Sequence, residues 1–199
     1  MNKKLAIIGA GGHGKVVGEI ALLNQYEIID FFDDNINEIK NFPFAISGDL
    51  KNLNNHLNDY DEFFVAIGDN KKRYDKLEWL KKKNLNIAVL IHPRSTISKF
   101  TSIGIGTCVM ANAVLNPGTL IKEGVIINSS VSIDHDCIIE DFAHISPNSS
   151  LSGNVRIGKF THLGTGTSVH PKIYIGNNVK TGVGSKVFKN ILDDIVYKT

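Results

Sequence analysis

The chain has 199 residues, of which 42% are hydrophobic, and a formal net charge of +2. That length accommodates one large or two modest domains, each with enough apolar residues for a core. The near-balanced charge leaves no polybasic footprint, which excludes nucleic acid or an anionic membrane as the main partner.

Asn2, Lys3 and Lys4 followed by Leu5 to Ile8 faintly imitate a signal peptide, but Gly9 to Lys15 ends the apolar run far too early for one. No segment approaches transmembrane length, so neither membrane insertion nor export is expected and the protein is placed in the cytoplasm. Leu5 to Ile8 instead reads as a short strand, the glycine-rich Gly9-Ala10-Gly11-Gly12-His13-Gly14 as a turn, and Lys15 to about Asn24 as a helix. Glu27 to Phe32 is a second strand ending in Asp33-Asp34, and Phe63 to Ile67 a third ending in Gly68-Asp69-Asn70. A helix over Asn70 to Lys83 and a strand over Ile87 to Ile91 follow, and His92-Pro93 breaks the pattern. Alternating strands and helices predict a small parallel sheet over residues 1–91.

Gly9, Gly11 and Gly14 satisfy G-x-G-x-x-G after a strand, and Asp33 and Asp34 lie about twenty residues on, as a dinucleotide fingerprint asks. Glycines let the backbone approach a ligand, the helix N-terminus attracts negative charge, and the carboxylates can accept hydrogen bonds from base or ribose. Ninety residues make only half of a full Rossmann sheet, which favours a mononucleotide moiety over NAD. The alternative is a glycine turn that merely packs helix on strand.

From Ile97 an aliphatic residue recurs every six positions, through Ile103, Val109, Leu115, Ile121, Ile127, Ile133, Ile139, Ile145, Leu151, Ile157, Leu163, Val169 and Ile175. Six fits neither an amphipathic helix nor an ordinary strand, whereas hexapeptide arrays coil into parallel β-helices. Two positions earlier the residue is usually small or β-branched, as at Thr107, Ala113, Thr119, Cys137 and Thr161, so both positions point inward. The positions one and two after each aliphatic site are expected to form the corners, helped by Gly104, Gly158, Gly164 and Gly176. Three hexads make one triangular coil, residues eighteen apart stack at roughly 4.8 Å, and about five coils fit between Ile97 and Val187. Thr181 is the one polar substitute at the aliphatic site, and Cys137 is an inward packing residue. The β-helix is expected over 92–188, with a short tail at 189–199.

Histidines decorate this prism. His135 falls at a corner, His144 and His162 point out from a flat face and stack, and Gly153 lies one coil above His135. His135 and His144 are nine apart, half a coil, and so stand on opposite sides of one prism. They share a site only if another copy brings one to the other, and a triangular prism suggests a homotrimer.

The glycine turn GAGGHG, the Asp-Asp pair and the stretch DHDCIIEDFAHISPNSSLSGNV together resemble the bacterial nucleotide-sugar acetyltransferases of the NeuD and PglD type. The likeness covers nearly the whole chain and implies a left-handed β-helix after the sheet. It implies His135 as general base, Asp136 as its orienting acid, and the Gly153 N–H as oxyanion donor. His144, with His162 beside it and Gly153, would meet acetyl-CoA, the acetyl donor, and Asn128 would line the pocket. Gly9, Gly12, His13, Gly14, Asp33, Asp34, Gly68 and Asn70 would hold the nucleotide sugar.

The implied activity is transfer of acetyl to the 4-amino group of a nucleotide-linked 4-amino-4,6-dideoxy sugar, UDP-linked, for surface glycan synthesis, without a metal or an acyl-enzyme. Within the fold the alternatives are O-acetylation of a sialic-acid-like sugar or use of a GDP sugar. Outside that chemistry stand an NAD oxidoreductase, a zinc enzyme using His135, His144 and His162, and a non-catalytic scaffold. Two departures stand out. Some relatives carry His-Glu where this sequence has His135-Asp136, and the family's closing Gly-x-Pro-Ala-Lys motif is replaced by Asp193 to Thr199.

Overall fold

A computed structural model of the chain describes residues 3–198. It divides into two compact units, with the boundary between Leu90 and Ile91. The first contains β1 (Lys4–Ile8), α1 (Gly12–Leu23), β2 (Ile28–Phe32), β3 (Ile46–Gly48), α2 (Leu50–Asn55), β4 (Glu62–Val65) and α3 (Asn70–Lys82). All strand pairs are parallel and the order is β3-β2-β1-β4. A parallel sheet covered by helices needs strands apolar on both faces, and Leu5, Ile7, Phe31, Phe32, Phe63 and Phe64 are indeed fully buried. β3 and α2 are not expected from the sequence: three residues of strand and six of helix carry too little periodicity to read.

The strand expected over Ile87 to Ile91 is divided between the two units. Ile87 makes one parallel bridge to Phe63, whereas the strand Leu90–Ile91 straddles the boundary and is the first strand of the seven-stranded sheet.

That second unit is a β-helix. Two-residue strands follow one another through three parallel sheets of seven, six and five strands, each strand pairing with its counterpart one coil on. The aliphatic positions face inward and form one continuous column of buried residues from Val109 to Ile191. Together with the parallel sheet of the first unit, this is the α/β plus left-handed parallel β-helix architecture.

The corners lie one residue further along than the sequence suggests, the turn taking the second and third residues after each aliphatic position. Positive φ recurs at the third residue after each aliphatic position, from Asn112 and Gly118 through Ser130, Asp136, Phe142, Asn148, Asn154 and Phe160 to Asn178 and Gly184. Asn, Asp and Gly tolerate this left-handed geometry, while Phe142 and Phe160 pay for it and stack ring on ring at 5.6 Å. The glycines one position after the aliphatic site have another purpose: a Cβ at Gly104 or Gly158 would fall 2.7 or 2.5 Å from backbone of the next coil. They are sites of close coil stacking rather than of unusual φ.

The inward small positions also stitch the coils. Thr107 Oγ1 donates to the Lys122 carbonyl at 2.9 Å, Thr119 to Asp134 at 2.9 Å and Thr161 to Gly176 at 2.6 Å. Cys137 Sγ plays the same part toward the Ser152 carbonyl at 3.2 Å. Each acceptor is the residue just after an aliphatic position in the next hexad stack, so a side chain satisfies a turn carbonyl inside a dry core. Thr181 bonds the Gly164 N–H and Thr167 Oγ1, which explains a polar residue in the aliphatic column.

The segment read as a tail at 189–199 is another coil. Ile191 bridges Ile175, and Val196–Tyr197 pairs with Lys180–Thr181. The hexad from Val187 is two residues short, which hides the continuation from a strict period of six. Replacing Thr119 by Val, which keeps the shape and removes the donor, is expected to destabilise the chain by about 1–3 kcal/mol. Urea unfolding at constant m-value measures it.

Candidate functional site

Residues with chemistry gather at two places, one in each unit. In the first unit the β1-to-α1 connection is built by its glycines. Gly9 has φ +107, which turns the chain sharply, and a Cβ at Gly14 would strike the Gly9 carbonyl, so that glycine lets α1 sit close to β1. Gly11 and Gly12 face open space. Gly11 caps α1 without a side-chain bond, and no acidic residue lies in the first turn, so the helix N-terminus is left for an anion.

A cavity of about 680 Å³ opens there, lined by Gly9, Gly12, His13, Asp33, Asp34 and Gly68 from the expected set. Asn35, Leu50, Lys72, Asp75 and Lys76 also line it and were not anticipated. It lies at the carboxyl ends of β1, β2 and β4, where the order β3-β2-β1-β4 reverses direction, the usual place for a ligand in an open α/β sheet. Gly14 and Asn70 do not line it. Gly14 packs helix on strand, and the Asn70 amide oxygen accepts from Arg73 at 2.8 Å.

The two carboxylates differ from expectation. Asp33 is occupied by backbone: Oδ2 accepts from the Ala10 N–H at 2.8 Å and Oδ1 from the Asn35 N–H at 2.9 Å. It ties the glycine turn to the end of β2. Asp34 is more open, receiving the Leu50 N–H at 3.1 Å and facing Lys76 Nζ at 3.4 Å.

Beneath the cavity lies Arg73, 1% exposed, donating to the carbonyls of Ile67 and Gly68 at 3.0 and 3.2 Å as well as to Asn70. Burial brings its pKa down to about 9, so it remains a cation at neutral pH. His13 is half-buried beside it, with its Nε2 shielded from solvent and lacking a partner, and desolvation together with the Arg73 charge lowers its pKa to about 4. Its imidazole is therefore neutral. A charged residue inside a helical pattern gives no sign of burial, so Arg73 was not legible beforehand.

In the β-helix, His135 stands on the vertex between the six-stranded and five-stranded sheets. His135 Nδ1 meets Asp136 Oδ2 at 2.8 Å. The residue before it also contributes: Asp134 Oδ1 accepts from the His135 N–H at 2.8 Å and from Asn116 Nδ2, one coil below, at 3.1 Å. The hydrogen bond that His135 donates to Asp136 raises the His135 pKa, with the Asp134 and Asp136 charges acting the same way. The His135 N–H and Asn116 hold Asp134 below the ordinary carboxylate range. The spacing of eighteen between Asn116 and Asp134 is the sequence signal of this pair, which no motif marks.

The ring leans toward the coil above. A Cβ on Gly153 would sit 2.5 Å from His135 Nε2, so only glycine fits against this imidazole. Gly153 is buried, and its N–H meets no acceptor among the described residues. Cys137 is a thiol whose pKa is pushed up by burial, and Cys108 is pushed up to about 12 for the same reason, which suits neither for nucleophilic work.

His144 and His162 lie on the seven-stranded sheet, stacked at 4.4 Å with planes 9° apart. Asn128 Nδ2 meets His144 Nε2 at 3.3 Å, and Ser146 Oγ meets His162 Nε2 at 3.0 Å. This face is opposite the His135 vertex in a triangular section, so one chain does not bring His135 and His144 together. Among the described residues no group of three His, Cys, Asp or Glu is arranged to hold a metal ion, and no helix is long and apolar enough to cross a membrane.

A family model, the PglD N-terminal domain, matches residues 4–80. A UDP-N-acetylbacillosamine N-acetyltransferase from Bacillus subtilis (strain 168) is 34% identical over 112 residues, 55% of this chain, and the match spans about half of that relative, 52%. The acetyltransferase domain of PglB from Neisseria gonorrhoeae FA1090 is 41% identical with a TM-score of 0.90, covering 96% of this chain and 93% of that one. PerB from Caulobacter crescentus, solved in complex with CoA and GDP-perosamine, is 30% identical with a TM-score of 0.92, covering 100% and 95%. With this likeness along its whole length and the sheet and β-helix described above, the chain belongs to the PglD-type family of bacterial sugar acetyltransferases.

Proposed function

We propose that the protein is an acetyl-CoA-dependent N-acetyltransferase acting on the 4-amino group of a nucleotide-linked 4-amino-4,6-dideoxy sugar, UDP-linked, in cytoplasmic synthesis of a surface glycan. The observation that carries this reading is the His135 vertex, where Nδ1 is tied to Asp136 and Nε2 lies against Gly153. An imidazole held at one nitrogen and free at the other is a general base of fixed tautomer. The Gly153 N–H supplies an oxyanion donor close to that free nitrogen.

The amine nitrogen attacks the thioester carbonyl and His135 Nε2 takes its proton. The tetrahedral oxyanion is held by the Gly153 N–H. Collapse breaks the C–S bond, and the imidazolium returns the proton to the departing CoA sulfur. Cys137, a hydrogen-bonded thiol of raised pKa, takes no part.

The nucleotide fits the cavity of the first unit. Phosphates suit the open N-terminus of α1 with the neutral His13 Nε2–H as a donor, and Asp34 and the lysines Lys72 and Lys76 suit the base and ribose side. Asp33 acts indirectly by holding the turn. His144, beside Asn128 and stacked on His162, is assigned to the acetyl-CoA end. Since that face is opposite His135 in one chain, the complete site is assigned to the groove between copies of a homotrimer. A GDP-linked amino sugar is the second reading, favoured by the likeness to PerB in its complex with GDP-perosamine.

Thiol release from acetyl-CoA, followed with UDP- and GDP-linked amino sugars, tests the assignment; release with neither would overturn it. His135→Ala is expected to lower turnover by about 10² to 10⁴ fold while nucleotide binding persists. Because Asp136 raises the His135 pKa and only the neutral ring accepts a proton, activity falls as pH drops through that raised value. Asp136→Asn should move this acidic limb to lower pH, which a kcat/KM profile reads directly.

Arg73→Lys cannot span Ile67, Gly68 and Asn70 together, and KM for the nucleotide sugar should rise about tenfold, a loss of about 1.4 kcal/mol, with kcat little changed. His13 adds a stability term. Its folded pKa of about 4 lies below the 6.5 of the unfolded chain, so the unfolded state binds the extra proton first as pH falls. Stability is therefore lost between pH 6.5 and about 4, by on the order of 3 kcal/mol. Urea titrations at the two ends of that window measure it, and His13→Gln should flatten the difference.

A further inference from the structure

His135 and Asp136 protrude from a prism whose coils stack tightly, and room for them must come from neighbouring positions. Above, the room is at Gly153, already assigned to the oxyanion. Below, one coil earlier and directly under Asp136, lies Gly118. Its φ is +76, the same left-handed corner geometry that Asp136 adopts at φ 58. A Cβ on Gly118 would fall on Asp136 Oδ1, well inside van der Waals contact, and 3.3 Å from Asp136 Cγ. The other carboxylate oxygen is the one that meets His135 Nδ1. We propose that Gly118 is a positioning residue for catalysis: by lacking a side chain it leaves the hollow in which the Asp136 carboxylate lies flat enough to reach His135.

Backbone conformation alone does not demand glycine at this corner. The equivalent position holds Asn at 112, 148, 154 and 178, each at φ between 54 and 60. Glycine at 118 thus answers to what is above it. Gly184 occupies the same corner position at φ +73, yet a Cβ there meets nothing within 4 Å. Two glycines of one backbone geometry differ only in whether a carboxylate occupies the side-chain space.

The consequence reaches the imidazole through Asp136. A side chain at 118 pushes the carboxylate outward and breaks the bond to Nδ1, which leaves the ring free to rotate and removes the chief influence raising its pKa. The charged groups acting on His135 are Asp134 and Asp136, and Cys137 is the other titratable side chain at that turn. Asn116 and Gly118 below and Gly153 and Asn154 above are uncharged, so loss of the Asp136 contact has no substitute. Asp134, held by the His135 N–H and Asn116, keeps the backbone of the turn in place.

This assignment rests on His135 being the base, and the test separates the two. Gly118→Asn and the control Gly184→Asn are compared in the full-length chain for thermal unfolding, for kcat and KM, and for the His135 pKa by NMR titration of the ring without substrate. Gly118→Asn is expected to lower the His135 pKa and to lower kcat about tenfold or more, with KM for the nucleotide sugar unchanged. Gly184→Asn should match the wild type in all three. A Gly118→Asn protein with wild-type kcat and wild-type His135 pKa overturns the proposal. A lowered pKa with unchanged kcat upholds the role of Gly118 toward Asp136 and overturns instead the role of His135 as base.

If Gly118→Asn does not fold, Gly118→Ala is read in a double-mutant cycle with Asp136→Ala. With no carboxylate left to displace, the second substitution should cost no further activity. Additive losses would reject the coupling.

Discussion

Everything in the second unit depends on parallel pairing between residues eighteen positions apart, such as Ile133 with Leu115 below and Leu151 above. Strands of two residues are too short to hold one another by ladder bonds alone. The coil survives because each hexad adds an inward aliphatic residue to one column and turns a fixed corner through a left-handed residue. Turn carbonyls that the ladder leaves over are met by Thr107, Thr119, Ser149 and Thr161 from within. The interior is therefore both apolar and directional, and slipping a coil by one residue would lose both terms at once.

The candidate site is a local exception cut into that regularity. Most corners carry a residue that only has to tolerate positive φ, whereas at 134–136 three consecutive polar side chains are held in defined roles. Asp134 pins the backbone, His135 offers one free nitrogen, and Asp136 holds the other. Glycines in the coils below and above, Gly118 and Gly153, make the space. The first unit follows the same logic by different means: Gly9 and Gly14 shape the turn, Asp33 ties it down, and Arg73 holds the opposite loop from beneath. In both places the groups that face a ligand are few, and those that fix them are more numerous.

How much of this was legible in the sequence follows from what each signal measures. Hydrophobic period reports which way a side chain faces, so the β-helix, its inward columns, the stacking of Gly153 on His135 and the half-coil separation of His144 could all be read. It says nothing about φ, and the corner residues include Phe142, Phe160 and Lys172, which no propensity scale would place at positive φ. A deletion of two residues after Val187 hid the last coil because counting assumes constant spacing. The glycine fingerprint identified the cavity but could not tell that Asp33 is consumed by backbone donors while Asp34 stays available. Arg73 was hidden because burial of a charge depends on what three-dimensional packing brings around it, here the carbonyls of Ile67 and Gly68.

The constant separation of stacked residues also bears on how the molecule folds and where it yields. In most β proteins the closure entropy of a contact grows with the chain between its partners, whereas here every coil but the shortened last one closes a loop of the same length. The stack behaves as a one-dimensional array whose units interact only with nearest neighbours, and such arrays unzip from their ends. Gly118, His135 and Gly153 lie on the second, third and fourth coils, with the shortened corner near the far end of the six-stranded sheet. Fraying of the terminal coils can thus proceed through local openings without loosening the vertex, which retains the stability of the array's middle.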